Sequence, residues 1–121
     1  MAFTEITTIN SVGVNAVSNN PSSNALDITN GNKLAYNSDQ ILIFENTDGS
    51  NDLDVRINLP NATSKGFSGN IDVTIATGNQ AILQDITSEY ANGGFLEITF
   101  NDQSGSSTAG TVKVINYRTA Q

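Results

Sequence analysis

The strongest constraint on the fold of this chain is a two-residue alternation of apolar and polar side chains. The alternation recurs in separate short segments, most regularly at residues 53–59, 71–75 and 96–100. Successive side chains of a β-strand point to opposite faces, so each of these segments predicts a strand with one buried face. No window of about 12 residues shows the apolar stripe of a helix.

Three further segments predict strands with less regular patterns. Residues 41–44 are apolar on both faces, which is typical of a central strand. Residues 112–117 begin with alternation, but Ile115 and Tyr117 then add apolar groups to the polar face. A shorter strand is expected at residues 81–83. The apolar surplus of the first two segments exceeds what one thin sandwich buries, so we expect a homotrimer that covers it.

The connections between these segments are rich in glycine and asparagine, as turns between strands require. Strands therefore recur at intervals of about 10 to 20 residues. Residues 88–92 can form a single 3₁₀ turn at most. A chain of 121 residues has room for one core. The sequence predicts an all-β fold, a single antiparallel β-sandwich with a jelly roll as its expected form.

The first 20 residues differ from the rest of the chain. Their apolar side chains follow neither a strand nor a helix period, and the segment ends at a Pro- and Ser-containing joint, residues 19–23. We therefore predict an extended N-terminal arm, residues 1–20, and a β-sandwich domain, residues 21–121. Deleting residues 2–10 should then leave the fold intact but weaken attachment to the partner or assembly of the trimer. In the alternative, residues 11–17 form the first strand and residues 2–10 fray. The predicted partner-binding residues, in the arm and the last strand, are Phe3, Ile6, Ile9, Val12, Ile115 and Tyr117.

Composition excludes several functional classes. The chain contains no His and no Cys, which excludes Ser–His–Asp and Cys–His catalysis and the common zinc sites. A net charge of −7 without a basic cluster argues against nucleic-acid binding. The longest apolar run is far too short to span a bilayer, and the N-terminus lacks the pattern of a secretory signal. We predict no enzyme activity, no catalytic, cofactor-binding or metal-ligating residues, no cofactor and no membrane association.

Three sites remain open on the residues alone. Residues 46–54 concentrate the oxygen groups that calcium prefers, although the same Asp and Asn residues also suit a hairpin turn. Four aromatic residues, Phe67, Tyr90, Phe95 and Tyr117, can form either a sugar-binding platform or core and interface contacts. The 12 acidic residues leave a paired-carboxylate hydrolase formally possible, but no two of them are marked as a pair.

Several segments share their order and type with a known family. The segments are Ile41-Leu-Ile-Phe-Glu-Asn46, Asp54-Val-Arg-Ile57, Asp72-Val-Thr-Ile-Ala-Thr-Gly78, Gly94-Phe-Leu-Glu-Ile-Thr-Phe100 and Thr111-Val-Lys-Val-Ile115. From Ile41 onward the chain resembles small tailed-phage virion proteins encoded among the head genes. Similar proteins are capsid decoration, or cement, proteins built as β-sandwiches or jelly rolls, many of them trimers.

The resemblance implies a structural virion protein that binds the major capsid protein on the exterior of the head and stabilises it. Such a protein is assembled in the host cytoplasm and becomes part of the virion. An acidic exterior suits a position outside a shell filled with DNA. The alternatives are another virion module, such as a head fibre, tail adaptor or host-recognition part, and a carbohydrate-binding or adhesin module.

Overall fold

The chain folds into strands connected by turns and loops. A computed structural model describes residues 3–6, 9–10, 23–60 and 69–116. The strands of this described part are β1 (Thr4–Glu5), β2 (Ile9–Asn10), β3 (Asn24–Ala25), β4 (Asn32–Ala35), β5 (Gln40–Asn46), β6 (Leu53–Ile57), β7 (Ile71–Ile75), β8 (Gln80–Gln84), β9 (Ala91–Asn92), β10 (Phe95–Phe100) and β11 (Gly110–Asn116). A 3₁₀ helix at Ser88–Tyr90 fits the predicted single turn. Within the described ranges, no helix has the length and apolarity needed to cross a membrane.

The strands form two sheets that pack face to face. The first sheet has the order β1-β4-β10-β6-β7, with β9 also paired to β10. The second sheet has the order β2-β11-β5-β8, with β3 also paired to β11. Every pair is antiparallel except β1 with β4 and β2 with β11. The predicted all-β sandwich is confirmed, and its sheets are mostly antiparallel.

The core lies between the two sheets and follows the alternation of the sequence. In β5 the side chains of Leu42 and Phe44 are fully buried, while Ile41 and Ile43 point outward. The other buried apolar side chains are Ile6, Leu26, Leu34, Leu53, Val55, Ile57, Leu59, Ile75, Leu96, Ile98, Phe100, Val112 and Val114. Full burial of each large side chain contributes about 1.5–3 kcal/mol, so this cluster is the main source of stability.

Strand β4 was not predicted, because Asn32 and Lys33 interrupt its apolar pattern. Asn32 is nonetheless fully buried. Its Oδ1 accepts the Asp27 N–H at 2.9 Å, and its Nδ2 donates to the Thr4 carbonyl at 3.1 Å. A buried amide is tolerated when its polar atoms are paired, and here the pairing fastens β1 to the sandwich.

The N-terminal segment, where the structure describes it, lies on the chain's own sheets. The Ile6 N–H donates to the Lys33 carbonyl at 2.9 Å, and the Ile6 side chain is 4% exposed within the core. The expectation that Ile6 contacts a partner is therefore corrected, because its own core already covers the side chain. Strand β2 pairs with β11 so that Ile9 lies opposite Ile115. Val12 and Tyr117 lie outside the described residues.

Candidate functional site

The outer face of the first sheet is polar and internally paired. The Arg56 Nε lies 2.8 Å from Asp72 Oδ1, and its Nη1 lies 3.6 Å from Asp102 Oδ2. The Lys33 ammonium stands 4.7 Å from the centre of the Phe95 ring. These charged groups are partly satisfied by one another and are well hydrated, so this face gives little gain on burial against another protein.

The outer face of the second sheet is apolar over three adjacent strands. Ile115 of β11 lies opposite Ile41 of β5, and Ile43 of β5 lies opposite Ile82 of β8. Ile41, Ile43 and Ile115 are half-buried, and Ile82 is 66% exposed. Among the side chains that the structure describes, Ile82 is the one large apolar group in the exposed class. We call these four residues the isoleucine face.

Two charged residues border the isoleucine face on the same side of the sheet. Lys113 lies beside Ile43 in the register of β11 with β5. Glu45 lies beside Gln80, whose Nε2 is 3.4 Å from the Glu45 Oε1. An apolar centre with a few charged groups at its margin is the usual composition of a protein-binding surface.

The arrangement of the isoleucine face follows from strand alternation. Each of its strands sends one set of side chains into the core, and the intervening positions must point outward. In most strands of the first sheet those outward positions are polar, but in β5, β8 and β11 they include isoleucine. Adjacent apolar groups that are partly or fully exposed mark interaction surfaces, which makes the isoleucine face the candidate site.

The loop proposed as a calcium site uses its first carboxylate for internal hydrogen bonds. Asp48 accepts the N–H groups of Thr108 at 2.9 Å, Ser50 at 2.8 Å and Asn51 at 3.1 Å. The bonds from Thr108 and Ser50 are the main reasons why the pKa of Asp48 lies far below its ordinary value. In the described ranges no group of three or more acidic side chains is placed to hold a metal ion. The loop joins β5 of the second sheet to β6 of the first, so the expected hairpin is corrected, and Asp48 stabilises a turn that crosses between the sheets.

Asp54 is the most deeply buried carboxylate that the structure describes, at 1% exposed. Its Oδ1 accepts the Thr74 hydroxyl at 2.7 Å, and its Oδ2 accepts the N–H groups of Ser104 at 2.7 Å and Gly105 at 2.5 Å. Burial by itself raises the pKa of Asp54, but the hydrogen bonds together lower it. This carboxylate ties the loop after β10 to the β6–β7 hairpin, so its contacts give it a structural role.

The aromatic residues do not form an open platform in the described part of the chain. The Tyr90 hydroxyl donates to the Gly69 carbonyl at 3.2 Å, and the Tyr90 ring packs against the core. Phe95 lies beneath Lys33 on the first sheet. The other two candidates, Phe67 and Tyr117, lie outside the described residues. No observed contact therefore favours the sugar-binding interpretation.

The predicted partner-binding residues are dispersed by the fold. Ile115 lies on the isoleucine face, whereas Phe3 is half-buried with its ring against Gly31. Sequence reasoning omitted Ile41, Ile43 and Ile82 from the site. The signal for the first two was present, because residues 41–44 are apolar on both faces and one of those faces had to point outward.

Comparison with known proteins adds no relative. The chain matches no protein-family model, and neither a curated protein nor a solved structure matches it.

Proposed function

We propose that this chain is a structural binding protein that attaches to the outer surface of a phage capsid and stabilises it. The observation that supports the proposal is the difference between the two outer faces of the sandwich. One carries paired charges, and the other is the isoleucine face. A decoration protein needs one surface that gains from burial against the major capsid protein and another that stays hydrated.

The size of the isoleucine face determines how such a protein would work. Three of its isoleucines are already half-buried, so completing the burial contributes about 1 kcal/mol for each of the four. A total of about 4 kcal/mol corresponds to a dissociation constant near 1 mM, before the entropic cost of association is subtracted. One copy would therefore bind weakly through this face alone. Firm attachment requires further contacts or several linked copies, as on a symmetric capsid.

A co-sedimentation experiment tests the proposal with one matched pair of variants. Capsids of the encoding phage, purified without this protein, are mixed with the wild-type chain, with Ile43→Lys or with Ala35→Lys. Each variant adds one lysine to an outer face, Ile43→Lys on the second sheet and Ala35→Lys on the first, where Ala35 is exposed. We expect Ile43→Lys to weaken binding at least about tenfold, because a charge in an apolar contact must be desolvated.

The control is expected to bind as the wild-type chain does. No binding of the wild-type chain to stripped capsids would refute the capsid proposal outright. Equal binding of the two variants would show that the isoleucine face is not the attachment surface. The homotrimer expected from the sequence is not part of this proposal; it competes with a two-fold dimer, and the mass of the isolated protein distinguishes the two.

A further inference from the structure

Strand β8 forms one edge of the second sheet and lacks the usual protection of an edge. It pairs with β5 on one side, and in the described part of the chain no strand pairs with its other side. Its sequence, Gln-Ala-Ile-Leu-Gln, contains no charge and no proline. Natural proteins usually protect edge strands with lysine, proline, a bulge or a very short length. An open five-residue edge without these features therefore suggests a pairing partner.

The backbone hydrogen bonds between β5 and the chain before β8 show which backbone groups of β8 point to its unpaired side. The Asn46 N–H donates to the Asn79 carbonyl at 3.1 Å, and the Asn46 carbonyl accepts the Gly78 N–H at 3.0 Å. Backbone groups of an antiparallel strand alternate in direction, so Phe44 and Leu42 also face β8, where their partners are Ala81 and Leu83. The N–H and carbonyl groups of Gln80, Ile82 and Gln84 consequently point away from β5, towards the open side.

We propose that β8 pairs in antiparallel orientation with β8 of a second copy of this chain, about a two-fold axis at Ile82. The inference goes beyond the proposed function, since it concerns contacts between copies and needs no capsid. Ile82 would exchange its two backbone hydrogen bonds with Ile82 of the other copy. Gln80 would pair with Gln84 of the other copy in the same way. A two-fold contact requires self-complementary elements. The backbone groups of Gln80, Ile82 and Gln84 at the open edge satisfy that condition.

The side chains of β8 are compatible with this pairing. The sequence reads almost the same from both ends, so amide lies opposite amide and isoleucine opposite isoleucine. No like charges meet across the axis. On the outer face, Ile43 and Ile82 of one copy would continue into the same residues of the other, which joins the two isoleucine faces into one stripe.

The other edge strands fit the role less well. In the described part of the chain, β1 and β2 span two residues each, which is too short for a stable ladder. Strand β7 is as long as β8 but carries Asp72, an exposed carboxylate that is paired with Arg56. A charge on an edge strand opposes pairing with a second copy. Among the described edges, β8 is thus the best suited to self-association.

A charge-complementation experiment tests whether the two-fold axis passes through Ile82. The wild-type chain, Ile82→Lys, Ile82→Glu and the control Ala35→Lys are measured by light scattering and sedimentation at up to about 1 mM chain, since small interfaces bind weakly. We expect the wild-type chain and the control to approach twice the 12.8 kDa chain mass. Each Ile82 variant alone should associate at least about tenfold more weakly, because two like charges meet at the axis. An equimolar mixture of the two variants should recover the doubled mass.

Recovery in the mixture also shows that both variants are folded. A monomeric wild-type chain across this range would overturn the inference, and so would a mass three times that of the chain. If both Ile82 variants dimerise as strongly as the wild-type chain, or if their mixture stays monomeric, the contact lies elsewhere. These outcomes leave capsid binding by the wild-type chain unaffected, so failure of the β8 pairing and failure of the proposed function are distinguishable.

Discussion

Replacing Ile6 with alanine tests whether the N-terminal segment belongs to the sandwich or is free to leave it. The Ile6 side chain is 4% exposed and packs in the core cluster, and its N–H bonds to the Lys33 carbonyl. Truncation of a buried isoleucine to alanine costs about 2–5 kcal/mol, depending on how far the site can collapse. Ile6 follows a two-residue edge strand that can relax, so we expect about 2–3 kcal/mol.

The expected loss is a substantial part of the total free energy of unfolding. Domains have about 0.05–0.15 kcal/mol of stability per residue, which gives roughly 6–18 kcal/mol for this chain. Urea unfolding followed by circular dichroism measures the change as a shift of the midpoint at constant slope. The matched control is Ile82→Ala, the same substitution at a 66% exposed position. We expect the control to lose less than about 1 kcal/mol, mainly from strand propensity.

Equal stability of the wild-type chain and Ile6→Ala would refute the reasoning, because it would mean that the side chain is not packed in the core. The result would then favour the free arm that the sequence led us to expect. If the loss is observed, deletion of residues 2–10 must also destabilise the fold. The expectation that this deletion leaves the fold intact would then be wrong.

The remaining predictions concern the loops that join the sheets. Gly105→Ala should cost about 1–3 kcal/mol in the same urea assay, because an added Cβ would lie 2.8 Å from the Asp54 nitrogen and 2.9 Å from the Asp52 oxygen. Gly49→Ala is the control, with no atom within 4 Å of its added Cβ, and an equal loss in both variants would contradict the packing argument. The folded pKa of Asp54 is lowered below its unfolded value near 3.9, so its stabilisation is present above about pH 4 and is lost on further acidification. Asp54→Asn should flatten the acid side of the stability profile, and an unchanged profile would show that this carboxylate is not responsible.

The candidate site was only partly accessible from the sequence. The double-sided apolar run at residues 41–44 indicated an outward apolar face, but its extent depended on which strands became neighbours. Ile82 joins that face because β8 pairs with β5 in a register that places Ile82 opposite Ile43. This register is set by long-range pairing, which local patterns do not specify.

The N-terminal segment also shows that a local pattern does not specify which strands become neighbours. Phe3, Ile6 and Ile9 have no regular period because the segment contacts both sheets, with β1 beside β4 and β2 beside β11. A segment that alternates between two surfaces is not described by the period of either one. The arm was predicted from that missing period, and within the segment the structure packs Ile6 in the core.

The sequence by itself determined that this protein is an all-β sandwich, because a two-residue alternation can bury one face only in strands. It also determined the central position of β5, whose residues are apolar on both sides. Only the tertiary structure decided which of the apolar residues remained exposed. Asp54 and Asn32 became buried because hydrogen-bond partners distant in the chain satisfied them, and Ile82 stayed exposed because its strand came to lie at an edge. Burial depends on neighbours in space, and those neighbours are fixed by the pairing of strands.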